Sequence, residues 1–272
     1  MKLPLGQTST TFRLAVLMAS LLAFLGPQQA EAQGIAVSPP NFEATLALGE
    51  SATGEFTLFN RAPDQAQVNV EVVDWTMNQG GEIAFLPPGS QPRSAARFII
   101  LSQTQFNLDP EAETVLRFTV SLPNDASLQG GYTALVVFTT VPVASTEQIG
   151  LSFSAQIAAG VNLVVNGTAQ PQGQPTRLET LVSPEGTRQV VVTFQNTGNV
   201  LLRVTGTLSL RDLFGEPVMD LPIAGGAVLP DSLRDFKVDL PPEIMPGQYL
   251  ALALFDFGSE QLLAGQGVIQ VP

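Results

Sequence analysis

The sequence predicts an all-β protein: two tandem immunoglobulin-like β-sandwich domains behind a cleaved signal peptide. Three observations predict it. Short runs rich in Val, Thr and Phe alternate apolar and polar side chains, as in 55–60 (EFTLFN), 68–73 (VNVEVV), 115–120 (VLRFTV), 133–139 (TALVVFT) and 189–195 (QVVVTFQ). A period of two marks strands with one dry face. Gly, Pro and Asn punctuate these runs at the spacing of a sandwich, with almost nothing helix-like in the mature chain. The same order of elements then recurs in both halves.

The amino terminus reads as an export signal spanning residues 1–32. Lys2 and Arg13 supply positive charge, Leu14 to Leu25 form an apolar run, and Ala30-Glu31-Ala32 is a small-x-small cleavage site. The run of about a dozen residues is shorter than the ~20 needed to span a bilayer. The expected location is the periplasm or cell envelope of a bacterium, with no membrane insertion after signal cleavage.

The first sandwich is expected over 33–158 and the second over 159–272. In the first, Thr57-Leu58-Phe59-Asn60 leads through a polar turn into Val68 to Val73. In the second, Val192-Thr193-Phe194-Gln195-Asn196 leads through Thr197-Gly198-Asn199 into Leu201 to Leu210. Phe106-Asn107-Leu108-Asp109-Pro110, Phe118 to Pro123 and Gly131-Tyr132 have counterparts in Val228-Leu229-Pro230, Phe236 to Pro241 and Gly247-Gln248-Tyr249. Tyr132 and Tyr249, the two tyrosines of the protein, thus occupy matching places, where a ring in the core and a hydroxyl on nearby backbone are expected. The first copy is longer, and its insertion falls at 77–101. Gly80-Gly81 and Gly225-Gly226 read as turns between strands.

Composition excludes several chemistries. With no His and no Cys there is no Ser-His-Asp or Cys-His arrangement and no His/Cys zinc site. No phosphate loop or dinucleotide fingerprint occurs. Asp109, Glu111 and Glu113, or Glu179 and Glu185, are acids in polar turn contexts and read as solvated. No catalytic residue, metal site or cofactor is expected, and the protein reads as non-enzymatic. Without Lys2, Arg13 and Glu31 the chain keeps 10 basic and 23 acidic residues, a surface that repels nucleic acid. Trp75, the single tryptophan, ends the strand 68–73 and reads as a core or edge-packing residue.

The stretch 149–167 (IGLSFSAQIAAGVNLVVNG) alternates apolar side chains at every odd position from Leu151 to Val165 and carries no charge. An edge strand of such length normally carries protective charges unless something covers it. It therefore reads as a strand kept dry by a β neighbour, inside the molecule or outside it.

From Ile35 to about Val165 the chain resembles the amino-terminal domain of PapD-like periplasmic pilus-assembly chaperones. The matching residues are Ile35-Ala36-Val37-Ser38-Pro39, Leu48-Gly49-Glu50, Phe56 to Asn60, Asp74-Trp75, Phe106 to Pro110 and Phe118-Thr119-Val120 with Leu122-Pro123. The resemblance implies that the strand at 149–167 lends alternate side chains, here Leu151, Phe153, Ile157 and Val161, to an incomplete pilin-like or surface-protein subunit. In that family two basic residues in the cleft between domains hold the subunit's terminal carboxylate. This chain departs from the pattern: Asn41 stands where an arginine is expected, and no Lys or Arg occurs between Arg117 and Arg177. The expectation is a chaperone-like protein acting on fimbrial or surface subunits by strand addition. The alternative is a structural tandem Ig-like envelope or adhesion module with no chaperone activity.

Overall fold

The computed structural model describes residues 34–141, 154–259 and 262–272. The expected signal peptide, Leu151 and Phe153 lie outside the described residues. Among the described residues no helix is long and apolar enough to cross a membrane.

The chain forms two Ig-like sandwiches. In order, the first contains β1 (Ile35–Ser38), β2 (Asn41–Leu46), β3 (Ser51–Asn60), β4 (Ala66–Met77), β5 (Ile83–Leu86), a 3-10 turn (Ala96–Phe98), β6 (Ile99–Leu101), β7 (Gln105–Leu108), β8 (Glu113–Ser121), β9 (Gly131–Val141) and β10 (Gln156–Val165). One sheet runs β1-β3-β8-β6; the other runs β2-β10-β9-β4-β5, with β7 also on β4. The second contains β11 (Gly173–Val182), β12 (Arg188–Asn196), β13 (Leu202–Arg211), β14 (Pro217–Val228), β15 (Leu233–Asp239), β16 (Gly247–Asp256) and β17 (Leu263–Val271). Its sheets are β11-β12-β15 and β14-β13-β16-β17.

Each sandwich has its own core, built by the period-two pattern. Phe56, Leu58, Leu116, Phe118 and Val120 meet Val136, Phe138, Val161 and Leu163 in the first. Val190, Val192 and Phe194 meet Leu208, Leu210, Ala253 and Phe255 in the second. Gly54 stands opposite Phe118 in the ladder, and a Cβ there would lie 2.3 Å from the ring, so glycine is what lets the Phe118 ring lie over the strand. The ring then stacks on Phe56 at 4.9 Å and meets Phe42 edge-on at 5.1 Å.

The internal repeat extends to individual hydrogen bonds. Asn60 and Asn196 end matching strands and are both buried. The Asn60 amide donates to Leu108 O, Asp109 O and Asp64 O while its Oδ1 accepts from Ala62 N. The Asn196 amide donates to Val228 O and Val200 O while its Oδ1 accepts from Gly198 N. Facing each asparagine is a turn with Pro110 or Pro230 followed by Glu111 or Asp231, both at positive φ. The backbone N–H of Asn60 reaches Ala112 O and that of Asn196 reaches Ser232 O. Tyr249 donates to Met245 O, and Tyr132 packs edge-on against Phe98.

Two expectations need correcting. The boundary after residue 158 cuts β10, whose Ala159, Val161, Leu163 and Val165 all face the first core; the strand belongs whole to the first sandwich. Gly225-Gly226 is not a turn but lies within β14, beside a bulge where Val204 pairs with Gly226 and Gly206 with Ile223. Glycine marks bulges as readily as turns.

The insertion forms β5 and the segment that leads into β6. Its anchor is Asp74, 1% exposed, whose carboxylate accepts from Ser94 Oγ at 2.5 Å and Gln91 N at 2.8 Å. The neighbouring Trp75, 8% exposed, lies on the outer face of its sheet with Val73, Leu135 and Val137, covered by Leu201 and Leu229 of the second sandwich.

Candidate functional site

β10 is paired unequally on its two sides. Against β9 it is antiparallel from Gln156 to Val164. Against β2 it is parallel, and that pairing begins only at Gly160, opposite Asn41. The chain crosses from one sheet to the other between β1, which pairs with β3, and β2, which seals the later half of β10. Gln156 to Ala159 therefore have a strand on one side only among the described residues. Thr140 N donates to Ala155 O, so Ala155, Ile157 and Ala159 turn their backbone groups toward β9. Gly160 N donates to Pro40 O on the other side, so Gln156 and Ala158, of the same parity, point their N–H and C=O at the open edge.

The edge is uncharged over this length, whereas the second sandwich's edge strand β15 carries Arg234, Asp235, Lys237 and Asp239. β17 is uncharged too, but β11 lies against it: Thr180 Oγ1 donates to Gln270 O at 2.7 Å, and Pro175 sits over Gly265. Charge and coverage are the usual protections of an edge. Among the described residues the first half of β10 has neither.

Of the residues singled out from the sequence, Ile157 is half-buried against the first core, within the open stretch. Val161, by contrast with the expectation, is fully buried, paired with Phe42 and Ala134, and has no surface to offer a partner. Asn41 is exposed, with its Oδ1 over Gly160, where a Cβ would approach to 2.5 Å.

A cleft of about 350 Å³ opens between the sandwiches, lined by Glu43, Thr45, Tyr132, Asn162, Arg203 and Phe257 among others. Asn41 is not in this lining; it lies two residues before Glu43 on the same face of β2. The one cationic side chain of the lining, Arg203, was not apparent from the sequence because it comes from the second sandwich. Its Nη2 and Nε lie 2.6 and 3.0 Å from Glu43 Oε1. The cleft's positive charge is thus neutralised internally. Because both partners are about half-exposed, Arg203→Ala is expected to lower stability by less than about 1 kcal/mol in urea unfolding.

Asp109, Glu111 and Glu113 do not assemble an ion site: among the described residues no group of three acids is placed to hold a metal. Asp109 accepts from Gln65 Nε2 instead.

No family model matches the chain, and no curated protein matches it. Among solved structures it is similar to a chaperone–tip adhesin complex of CFA/I fimbriae biogenesis, at 12% identity, covering 87% of this chain and 98% of that one, with a TM-score of 0.47. It is similar to the E. coli chaperone DraB at 13% identity, covering 86% and 96%, with a TM-score of 0.43. A third similarity is to the Salmonella enterica SafA pilin in complex with the SafB chaperone, at 14% identity, covering 86% and 97%, with a TM-score of 0.42.

Proposed function

We propose that the protein is a non-enzymatic, chaperone-like component of the bacterial envelope that binds an extended segment of a pilin-like or surface-protein subunit by β-strand addition. One observation carries the reading: among the described residues the first half of β10 is an uncharged, unladdered edge, whereas the edge strand β15 is charged and β17 is covered by β11. An added strand satisfies the outward N–H and C=O of Gln156 and Ala158, and the half-buried Ile157 supplies an apolar contact beside them. In this reading residues 1–32 are a cleaved export signal and the sandwiches join at 166–172.

The experiment is Gln156→Pro. Proline deletes one outward N–H and leaves the β9 side intact, the position at which edge strands tolerate it. Wild-type protein purified from the envelope should retain a subunit polypeptide that Gln156→Pro loses while remaining folded. The same polypeptide retained by both, at equal yield, rules out strand addition at this edge.

The reading of a structural tandem module is favoured by one observation, the Arg203–Glu43 pair, which leaves the cleft without an unpaired cation for a subunit's carboxylate. Loss of nothing in the Gln156→Pro comparison would favour it.

A further inference from the structure

The β4–β5 hairpin reaches out of the first sandwich and touches the second. Its turn is internally satisfied: Gly81, at φ 93°, donates to Asn78 O, Asn78 N donates to Glu82 O, and the Asn78 side chain bonds Glu82 twice. A turn so closed is a stiff projection. At its tip Gln79 O accepts from Asp235 N at 2.8 Å, and Gln79 Nε2 donates to Asp235 Oδ1 at 2.9 Å. That carboxylate is held from its own side by Thr193 Oγ1 at 2.6 Å.

Beside it the Arg234 guanidinium lies between two glycines from different sandwiches. A Cβ on Gly81 would stand 3.0 Å from its Nη2, and one on Gly226 2.5 Å from its Cζ. Arg234 donates to Ala227 O at 2.6 Å and contacts Met77 Sδ at 3.5 Å. Gly226 and Gly81 are what make room for it.

The position of this contact matters. Across the sheet β2-β10-β9-β4-β5, the linker leaves from β10. Next to it on β9, Gly131 N donates to Asn199 O, and Asn199 in turn holds the linker at Thr168 O and Gln170 N. This is a pivot. The cleft opens at this pivot, along Gly131 to Thr133 of β9, and extends across β10 to β2; the hairpin lies on the β5 side, two to three strands away, or roughly 10–15 Å at the usual strand spacing. The apolar patch of Trp75, Leu201 and Leu229 fills the space between pivot and hairpin. On the cleft side the exposed Arg203–Glu43 pair is a weak tie.

We propose that the β4–β5 hairpin is a strap that holds the second sandwich against rocking about the linker and so sets the width of the cleft. An insertion present in the first sandwich and lacking in the second thereby acts on both. Domains joined by one linker and a modest interface move by default, and a second attachment off the pivot axis stops that motion.

The chain has no cysteine, so Thr45→Cys and Thr207→Cys place spin labels on the cleft side, one on each sandwich, without competing sites. In the parent the distance distribution is expected to be narrow. It should broaden about twofold with Arg234→Ala, as for a hinge freed at one end. Replacing the turn 78–81 by a two-residue Asn-Gly turn should do the same and leaves every residue of the second sandwich in place; if Arg234→Ala does not fold, this variant decides alone. A distribution as narrow as the parent's in the folded turn variant overturns the proposal.

Discussion

Val161→Asp is expected to unfold the first sandwich. Val161 is 0% exposed and sits where β10 is paired on both sides, between Phe42 of β2 and Ala134 of β9. A carboxylate there has no cation to meet, since the surrounding core is Phe, Leu, Val and Ala. An unpaired buried charge costs several kcal/mol, of the same order as the ~5–15 kcal/mol that holds an ordinary domain together. Amide spectra should show the first sandwich's resonances collapsed and those of β12 and β16 retained. A variant with the parent's urea midpoint would refute the placement of Val161 in the core. Ile157→Asp, at the half-buried end of the same strand, should leave the fold intact.

Asn196→Ala is expected to cost about 2–5 kcal/mol, with Asn60→Ala similar, because each truncation leaves two or more buried backbone groups unpaired. Asn196 bridges the strand end, the following turn and the opposite sheet through Gly198 N, Val200 O and Val228 O. Asn196→Asp should be no better, since a carboxylate would face two carbonyl oxygens. Chemical denaturation of each variant checks this; losses below about 1 kcal/mol in both would place these asparagines among ordinary surface positions.

The fold was legible because its signals are local. Alternation named the strands, and the pairing of Asn60 with Asn196 and of Tyr132 with Tyr249 aligned the two copies without any structure. The candidate site was less legible for a physical reason. A period of two tells which side chains share a face, not what covers that face, so Val161 and Ile157 looked alike from Leu151 to Val165. What separates them is β2, which arrives from over a hundred residues earlier and stops sealing β10 at Gly160. The same limit hid Arg203, whose partner Glu43 is 160 residues away. Gly225-Gly226 misled because the absence of a side chain serves a bulge and a reversal equally well.

The short unsealed length of β10 has a kinetic consequence. Gln156 and Ala158 offer four outward main-chain groups, which at about 0.5–1.5 kcal/mol each amount to roughly 2–6 kcal/mol. Alone, that corresponds to dissociation constants of about millimolar or weaker for much of the range. If the proposed function holds, a guest gripped chiefly there would come and go quickly, lasting custody would depend on how well its own side chains fit, and a poor match would be let go rather than stored.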